Sequence, residues 1–242
     1  MSRATRNALL TLGAMLLPLS NAMSGSPAPT TSGALLLVLP RPGTPISFDQ
    51  TEEHSRKGPG EASAAGPRTT GRTFRDSAGW VRQESETRDD ANHVLSSYTA
   101  IIDPTSGSSI MLLDAEKIAY RISLPIQSGN KMSFGIATEG EDSSHTWTAT
   151  SEKAGTRIID GAEFAGTRII YTASDEPGLS KTSEFWYSDA LKLTGSIKAS
   201  GPKEIFTVRI ENLRQEEPDP SLFSVPSDYE IVDMKFPMPG PQ

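Results

Sequence analysis

The stretch Leu191-Lys-Leu-Thr-Gly-Ser-Ile-Lys-Ala199 decides the fold class of this chain. Apolar or small residues occupy every second position, and lysine, threonine and serine fill the positions between them. Side chains on a β-strand alternate between the two faces of a sheet, so one face of this strand meets a core and the other meets water. One-sided strands of this kind are typical of antiparallel sheets.

The same alternation recurs in residues 117–123 and 206–210, and turn signals separate the strand-like segments. Asp160-Gly161 lies between two copies of Gly-Thr-Arg-Ile-Ile, and Asp114-Ala-Glu-Lys117 lies between two apolar runs, so each predicts a hairpin. Helical signals are confined to residues 89–95 and 219–223. The sequence therefore predicts a mainly β fold with little helix: one curved antiparallel sheet of about nine to eleven strands.

The N-terminus predicts export. Arg3 and Arg6 precede an apolar run at residues 8–19, and Ser20-Asn-Ala22 supplies the small residues of a cleavage site. A retained membrane anchor is the alternative, but the run is shorter than the roughly 20 apolar residues that a bilayer requires. We expect a signal peptide over residues 1–22, no membrane-spanning segment after cleavage, and a periplasmic or secreted location.

Composition excludes several classes of function. The 242 residues include 23 Lys and Arg against 30 Asp and Glu, a formal net charge of −7, and no Cys. This acidic balance argues against nucleic-acid binding, which needs a concentrated basic surface. Without Cys the chain has no disulfide, thiolate metal site or cysteine nucleophile. An exported domain of this composition depends on sheet packing for its stability.

Residue composition also divides the mature chain. Residues 23–33 are small and polar and predict a flexible lead, residues 34–236 a β-rich domain, and residues 237–242 a tail. A Gly- and Pro-containing stretch near residues 55–71 predicts a mobile loop inside the domain. The apolar run at residues 34–39 ends at Pro40 and predicts either a first strand or a hydrophobic plug.

Catalytic and metal-binding motifs are largely absent from the sequence. The three histidines, His54, His93 and His145, lie far apart, and neither acidic neighbourhood of His54 or His145 has a known ligand spacing. Two Ser-x-x-Lys matches, at 128–131 and 200–203, lack the other motifs of penicillin-recognising enzymes. We therefore expect no metal, no cofactor and no enzymatic activity. A hydrolase with two paired carboxylates stays open as an alternative, because that pairing is spatial.

Aromatic residues give the most distinctive local chemistry. In Phe185-Trp186-Tyr187 consecutive side chains point to opposite faces of a strand, so Trp186 lies opposite its two neighbours. Either both faces are covered at the centre of a sheet, or one aromatic faces a ligand on a concave surface. For the second interpretation, the candidate ligand-binding residues are Tyr120, Trp186, Tyr187, Leu191 and Leu193.

Several motifs carry a resemblance to known proteins. Residues 74–84, Phe-Arg-Asp-Ser-Ala-Gly-Trp-Val-Arg-Gln-Glu, resemble a signature of secreted bacterial β-rich proteins of unknown function. Further matching elements are Ile102-Asp-Pro104, Ala119-Tyr-Arg121, Glu184-Phe-Trp-Tyr-Ser188, Asn212-Leu-Arg214 and Val225-Pro-Ser-Asp-Tyr229. These proteins are in turn similar to the lipoprotein-carrier (LolA-like) superfamily. The resemblance implies an incomplete β-barrel, with a lipid or lipoprotein acyl chain, or an envelope protein, as partner.

Two functional hypotheses follow. The first is an exported non-enzymatic protein that binds a hydrophobic ligand, such as an acyl chain, or an extended peptide on a concave sheet. The alternative is a structural or sensing interaction module of the cell envelope without a small-molecule ligand. Whether the concave face is open or filled distinguishes them.

Overall fold

The computed structural model describes residues 37–56, 64–123 and 145–234. Twelve strands and one short 3-10 helix, Pro220–Phe223, account for most of these residues. The strands are β1 Ile46–Arg56, β2 Ala64–Arg75, β3 Val81–Arg88, β4 Val94–Asp103, β5 Ser108–Leu113, β6 Ile118–Ser123, β7 Trp147–Ile159, β8 Ala162–Ala173, β9 Ser180–Ser188, β10 Leu193–Ser200, β11 Glu204–Arg214 and β12 Glu230–Met234. The predicted signal peptide, flexible lead and tail lie outside the described residues.

All twelve strands form one sheet, in the order β12-β6-β5-β4-β3-β2-β1-β11-β10-β9-β8-β7. Neighbours are antiparallel, except for β12, which pairs in parallel with β6. Two meanders, β1 to β6 and β7 to β11, join where β1 pairs with β11. In the described part of the chain no pairing joins β12 to β7, so the sheet is not closed. The predicted fold class, a mainly β single sheet of the incomplete-barrel type, is confirmed, with one strand more than expected.

The predicted hairpins at Asp160-Gly161 and at residues 114–117 are both present. Asp160 and Gly161 have φ values of 46° and 81°, the left-handed conformation that a tight hairpin turn requires. The two Gly-Thr-Arg-Ile-Ile copies lie in β7 and β8, and Gly155 pairs with Gly166. The repeat therefore marks two similar strands across one turn.

Two local expectations differ from the structure. The short helix expected at residues 89–95 is a turn followed by the start of β4, because Asp89 Oδ1 accepts a 2.7 Å hydrogen bond from the His93 backbone and Asn92 adopts φ 68°. Of the stretch near residues 55–71 that predicts a mobile loop, residues 55–56 belong to β1 and residues 64–71 to β2, and residues 57–63 lie outside the described residues. Pairing of Thr69 with Glu52 and Thr87 holds this part of β2 in the sheet.

The larger of two hydrophobic cores lies where β1, β10 and β11 meet. Leu37 and Val38, from the apolar run before Pro40, are fully buried in it beside Leu193 and Ile197. Val38 forms an isolated bridge with Leu193, and the Leu37 carbonyl accepts a 3.0 Å hydrogen bond from the Thr194 backbone. The described end of this run thus fills the core as a plug.

No helix in the described ranges is long and apolar enough to cross a membrane.

Candidate functional site

A stripe of apolar side chains crosses the first four strands of the sheet order. Cross-strand register puts Ala100 opposite Met111, Met111 opposite Tyr120, and Tyr120 opposite Val232. Directly opposed residues share one face of a sheet, so these side chains form a continuous row. A second row on the same face contains Ile102, Ser109, Ile122 and Met234. We call the apolar members of both rows the apolar stripe: Ala100, Ile102, Met111, Tyr120, Ile122, Val232 and Met234.

Every member of the apolar stripe is half-buried, whereas the opposite face of β4 to β6 is covered. There, Ile101, Leu112 and Ala119 are almost completely buried. They form the smaller core, against which Phe223, Val225 and Tyr229 from the 3-10 helix and its downstream loop pack. The sequence after β11 therefore covers one face of β4 to β6 and leaves the stripe on the other.

Tyr229 and Lys117 hold this cover in place. The Tyr229 hydroxyl donates a hydrogen bond to the Asp114 carboxylate. The Lys117 ammonium lies 4.8 Å from the Tyr229 ring centroid and 3.3 Å from Asp228 Oδ2. The hydrogen bond to Asp228 raises the pKa of Lys117. Lys117 lies in the β5–β6 turn with φ 55°, and its side chain contacts the segment that leads into β12.

The five candidate residues from the sequence fall into two distant parts of the sheet. Tyr120 lies in the apolar stripe on β6. The other four lie on β9, on β10 or in the turn between them, and seven strands separate β6 from β9 in the sheet order. Leu191 and Leu193 belong to the larger core beside Leu37 and Val38. The half-buried Tyr187 pairs with Thr194 on β10 and Ala165 on β8.

Trp186 is occupied by protein contacts. Its indole Nε1 donates a 2.8 Å hydrogen bond to Glu184 Oε1, and the Arg157 guanidinium lies 4.2 Å from its ring centroid. Gly166 lies opposite, and a Cβ there would come within 2.9 Å of the ring. Hydrogen bonds from Trp186 and Arg168 lower the pKa of Glu184. This arrangement supports the interpretation in which Trp186 is covered within the sheet.

The face of the sheet that carries the apolar stripe, which we call the inner face, is polar at its middle. The alternation in the sequence did not predict this polar region. The row that contains Ala100 continues through the buried Gln83 and Thr73 and ends at Phe48 on β1, and the buried Gln50 lies in the next row, opposite Gly71. Thr73 Oγ1 donates a 3.3 Å hydrogen bond to Gln50 Oε1, and Gln50 Nε2 donates a 3.1 Å bond to Glu52. Buried polar groups are tolerated where they bond one another in this way.

Like the members of the apolar stripe other than Tyr120, Arg75 on β2 is a candidate that the sequence patterns did not identify. Its side chain is 0% exposed, and register places it on the inner face between Ile46 and Val81. Burial lowers the pKa of Arg75, and the positive charge of Arg41 lowers it further. Thr69, Gly71, Thr73 and Arg75 are alternate residues of β2 and share its inward face. An arginine among these inward-facing positions is the sequence feature that could have identified this candidate.

The three histidines have separate structural roles. His54 packs against Phe206 at a centroid distance of 4.6 Å, and His93 Nδ1 lies 3.1 Å from Asp89 Oδ2. His145 lies between Asp175 and Glu176, at 3.1 Å and 3.4 Å. Within the described ranges, no group of three His, Asp or Glu side chains is arranged to hold a metal ion.

No protein-family model matches the chain, and no curated protein matches it. Among solved structures it is similar to MucB in complex with MucA(peri), at 12% identity over 77% of this chain and 57% of that chain, with a TM-score of 0.36. The MucA/MucB complex of Pseudomonas aeruginosa matches at 13% identity over 81% and 62%, with a TM-score of 0.36. The chain thus spans less than two thirds of the matched chains in these two structures.

A LolA superfamily protein from Nitrosomonas europaea is also similar. It is 9% identical over 78% of this chain and 92% of that chain, with a TM-score of 0.28. The sequence motifs predicted a distant resemblance to the LolA-like superfamily, and a protein of that superfamily is among the similar solved structures.

Proposed function

We propose that this chain is an exported, non-enzymatic protein that binds an acyl chain or a similar apolar ligand against the apolar stripe. The observation that carries the proposal is the exposure of the stripe. Seven apolar side chains on four adjacent strands remain half-buried, while the opposite face of β4 to β6 buries Ile101, Leu112 and Ala119 beneath the segment after β11. Contiguous apolar surface that stays in contact with water marks a binding site more often than a structural face.

The N-terminal sequence supports the location. A basic start, an apolar run and Ser20-Asn-Ala22 favour cleavage after Ala22 and release into the periplasm or the medium. The mass of the protein recovered from its own cell envelope tests this directly, since a cleaved chain begins at Met23.

Adjacent residues on β12 provide a matched pair for testing the ligand site. Val232 lies opposite Tyr120 in the stripe, whereas Ile231 lies opposite Ala119 on the other face and is 45% exposed. A carboxylate at position 232 would be forced against the ligand, but a carboxylate at position 231 reaches water. We expect Val232→Glu to weaken uptake of a fluorescent fatty-acid probe by at least about tenfold, and Ile231→Glu to change it less than about twofold.

Native mass spectrometry of the protein from its own envelope complements the probe assay. A bound mass in the range of a lipid supports the proposal. A bare chain that also takes up no probe would remove it.

An envelope protein is the second candidate partner, and β7 is the observation that favours it. This outermost strand has thirteen residues, and Ile158 near its end is 65% exposed. An outer strand of this length offers an edge to which an extended polypeptide can add as a further strand. A polypeptide in the native mass spectrum, with no lipid, would favour this candidate over the acyl chain.

A further inference from the structure

Arg75 has hydrogen-bond donors that nothing in the described structure accepts. Its Nη2 donates to the Thr44 carbonyl at 2.6 Å and to the Leu191 carbonyl at 2.9 Å. Its Nε and Nη1 are buried and have no hydrogen-bond partner. A buried donor without an acceptor is strongly disfavoured, so these two nitrogens are suited to donate hydrogen bonds to the oxygen atoms of a ligand.

The positive charge of Arg75 is uncompensated as well. Arginine does not lose its proton in proteins, so the buried guanidinium is a cation. Among the described residues no carboxylate forms an ion pair with it. Arg41 places a second positive charge nearby, and the neighbouring Tyr187 favours the charged form of Arg75. Buried charges are normally paired. The chemistry that would complete this site is an anion with oxygen acceptors.

The inner face connects Arg75 to the apolar stripe. One cross-strand row runs from Arg75 through Val81, Ile102 and Ser109 to Ile122. Four steps between adjacent strands, at about 4.8 Å each, give a path of roughly 19 Å along one face. Apart from Ser109, the residues after Arg75 in this row are apolar. Val81 is fully buried in the larger core, and Ile102, Ser109 and Ile122 are half-buried, so the accessible apolar part of the path begins two strands from Arg75.

The segment at residues 41–45 covers Arg75. Gly43 lies over the guanidinium, and a Cβ at that position would be 3.6 Å from Nη2. Two hydrogen bonds fasten the segment to β2 and the turn after it: the one that Thr44 accepts from Arg75, and one of 3.2 Å from the Gly43 amide to the Ser77 carbonyl. Pro42 and Gly43 are exposed, so displacement of this short segment would open the guanidinium to a ligand.

We propose that Arg75 anchors an oxyanion, a carboxylate or a phosphate, at the head of an acyl chain whose tail lies on the apolar stripe. This assignment rests on the proposed function and adds the chemical class of the ligand. Nε and Nη1 each donate to an oxygen of the head group, and Arg41 contributes a second positive charge at the entrance. The polar residues in the neighbouring row, Thr73 and Gln83, are uncharged. The guanidinium therefore supplies the positive charge at one end of an otherwise apolar path.

Three ligands with the same hydrocarbon chain test the assignment: palmitate, hexadecyl phosphate and hexadecanol. Affinities are measured on the delipidated mature protein and on Arg75→Met, Arg75→Lys and Arg82→Met. Arg82 is the matched control. It lies on β3 of the same sheet, but its guanidinium already donates hydrogen bonds to Glu84 and the Leu222 carbonyl. We expect at least one anion to bind the wild type roughly tenfold or more tightly than hexadecanol.

Loss of that preference in Arg75→Met, partial retention in Arg75→Lys and full retention in Arg82→Met would support the anchor. The anion with the larger preference identifies the head group as a carboxylate or a phosphate. Equal affinity of the wild type for all three ligands would overturn the assignment and leave the proposed function intact, whether or not the variants fold. Binding of none of the three would overturn the proposed function itself.

Discussion

The inner face of the sheet ends in two apolar regions that differ in what covers them. At β1, β10 and β11 the larger core is sealed, because Leu37 and Val38 occupy the space above Leu193. At β4, β5, β6 and β12 the side chains of the apolar stripe stay half-buried. Both regions follow from the same two-residue alternation. Alternation therefore determines which residues face inward. A segment outside the sheet determines whether that face is buried as core or stays accessible as a site.

Truncation of one side chain in each region gives the largest test of this comparison. Leu193→Ala removes a fully buried side chain from the sealed end, and we expect it to lower the free energy of unfolding by about 2–5 kcal/mol. Met111→Ala removes a half-buried side chain from the stripe, so less buried surface and less cavity are involved, and we expect a loss of about 1 kcal/mol or less. Urea unfolding followed by circular dichroism measures both.

Leu95→Ala, at a 57% exposed position on β4, provides the baseline and should change stability by less than about 0.5 kcal/mol. Equal losses for Leu193→Ala and Met111→Ala would mean that the stripe is packed as tightly as the larger core, which contradicts the comparison.

Arg75 lies between the two regions and gives the second test. Replacing it with methionine removes a buried cation that has no ion-pair partner among the described residues, but it also removes the hydrogen bonds to the Thr44 and Leu191 carbonyls. These two effects oppose each other, so we expect the free energy of unfolding to stay within about 1 kcal/mol of the wild type. Arg82→Met breaks bonds of 2.8 Å to Glu84 and 3.0 Å to the Leu222 carbonyl, and we expect a loss of about 1–3 kcal/mol. Thermal unfolding of the ligand-free proteins compares them. A loss above about 3 kcal/mol in the free energy of unfolding for Arg75→Met would show that Arg75 stabilises the sheet and that its burial carries no net cost.

The elements that short-range patterns specify were predictable. β10, β6 and the hairpin at Asp160-Gly161 each depend on alternation or turn residues within about a dozen positions, and each is present. The number of such elements predicted a single curved sheet, and the resemblance to LolA-like proteins implied its incomplete-barrel character.

The composition of the candidate site was not predictable, because long-range pairing creates it. Tyr120 was identified from its place on a one-sided strand, but Val232 joins it only because β12 pairs in parallel with β6. The burial of Arg75 depends on the Leu191 carbonyl, 116 positions away in the sequence. Leu191 and Leu193 had the same pattern as Tyr120. The apolar run at residues 34–39 predicted a strand or a plug, but nothing in its sequence indicated which strands it would cover.

The smallest expected effect concerns the surface beside the sealed end, where Glu184 on β9 joins Trp186 to Arg168. The indole donates a 2.8 Å hydrogen bond to Oε1, and Arg168 Nη2 donates a 2.9 Å bond to Oε2. These bonds lower the pKa of the Glu184 carboxyl below its ordinary value. The carboxylate therefore contributes stability that is fully present above its unfolded-state pKa of about 4.3, and that is lost as pH falls through the lower folded-state pKa.

Glu184→Gln removes that titration. We expect it to lower the free energy of unfolding at neutral pH by less than about 1 kcal/mol, and to flatten the decline in stability below about pH 4.3. Urea unfolding at a series of pH values measures the slope. Glu216→Gln is the matched control, because its side chain is 67% exposed and lies 3.6 Å from Arg214, so it should leave the slope unchanged. If both variants change the slope equally, the effect belongs to net charge, and the contacts with Trp186 and Arg168 add nothing specific at this surface.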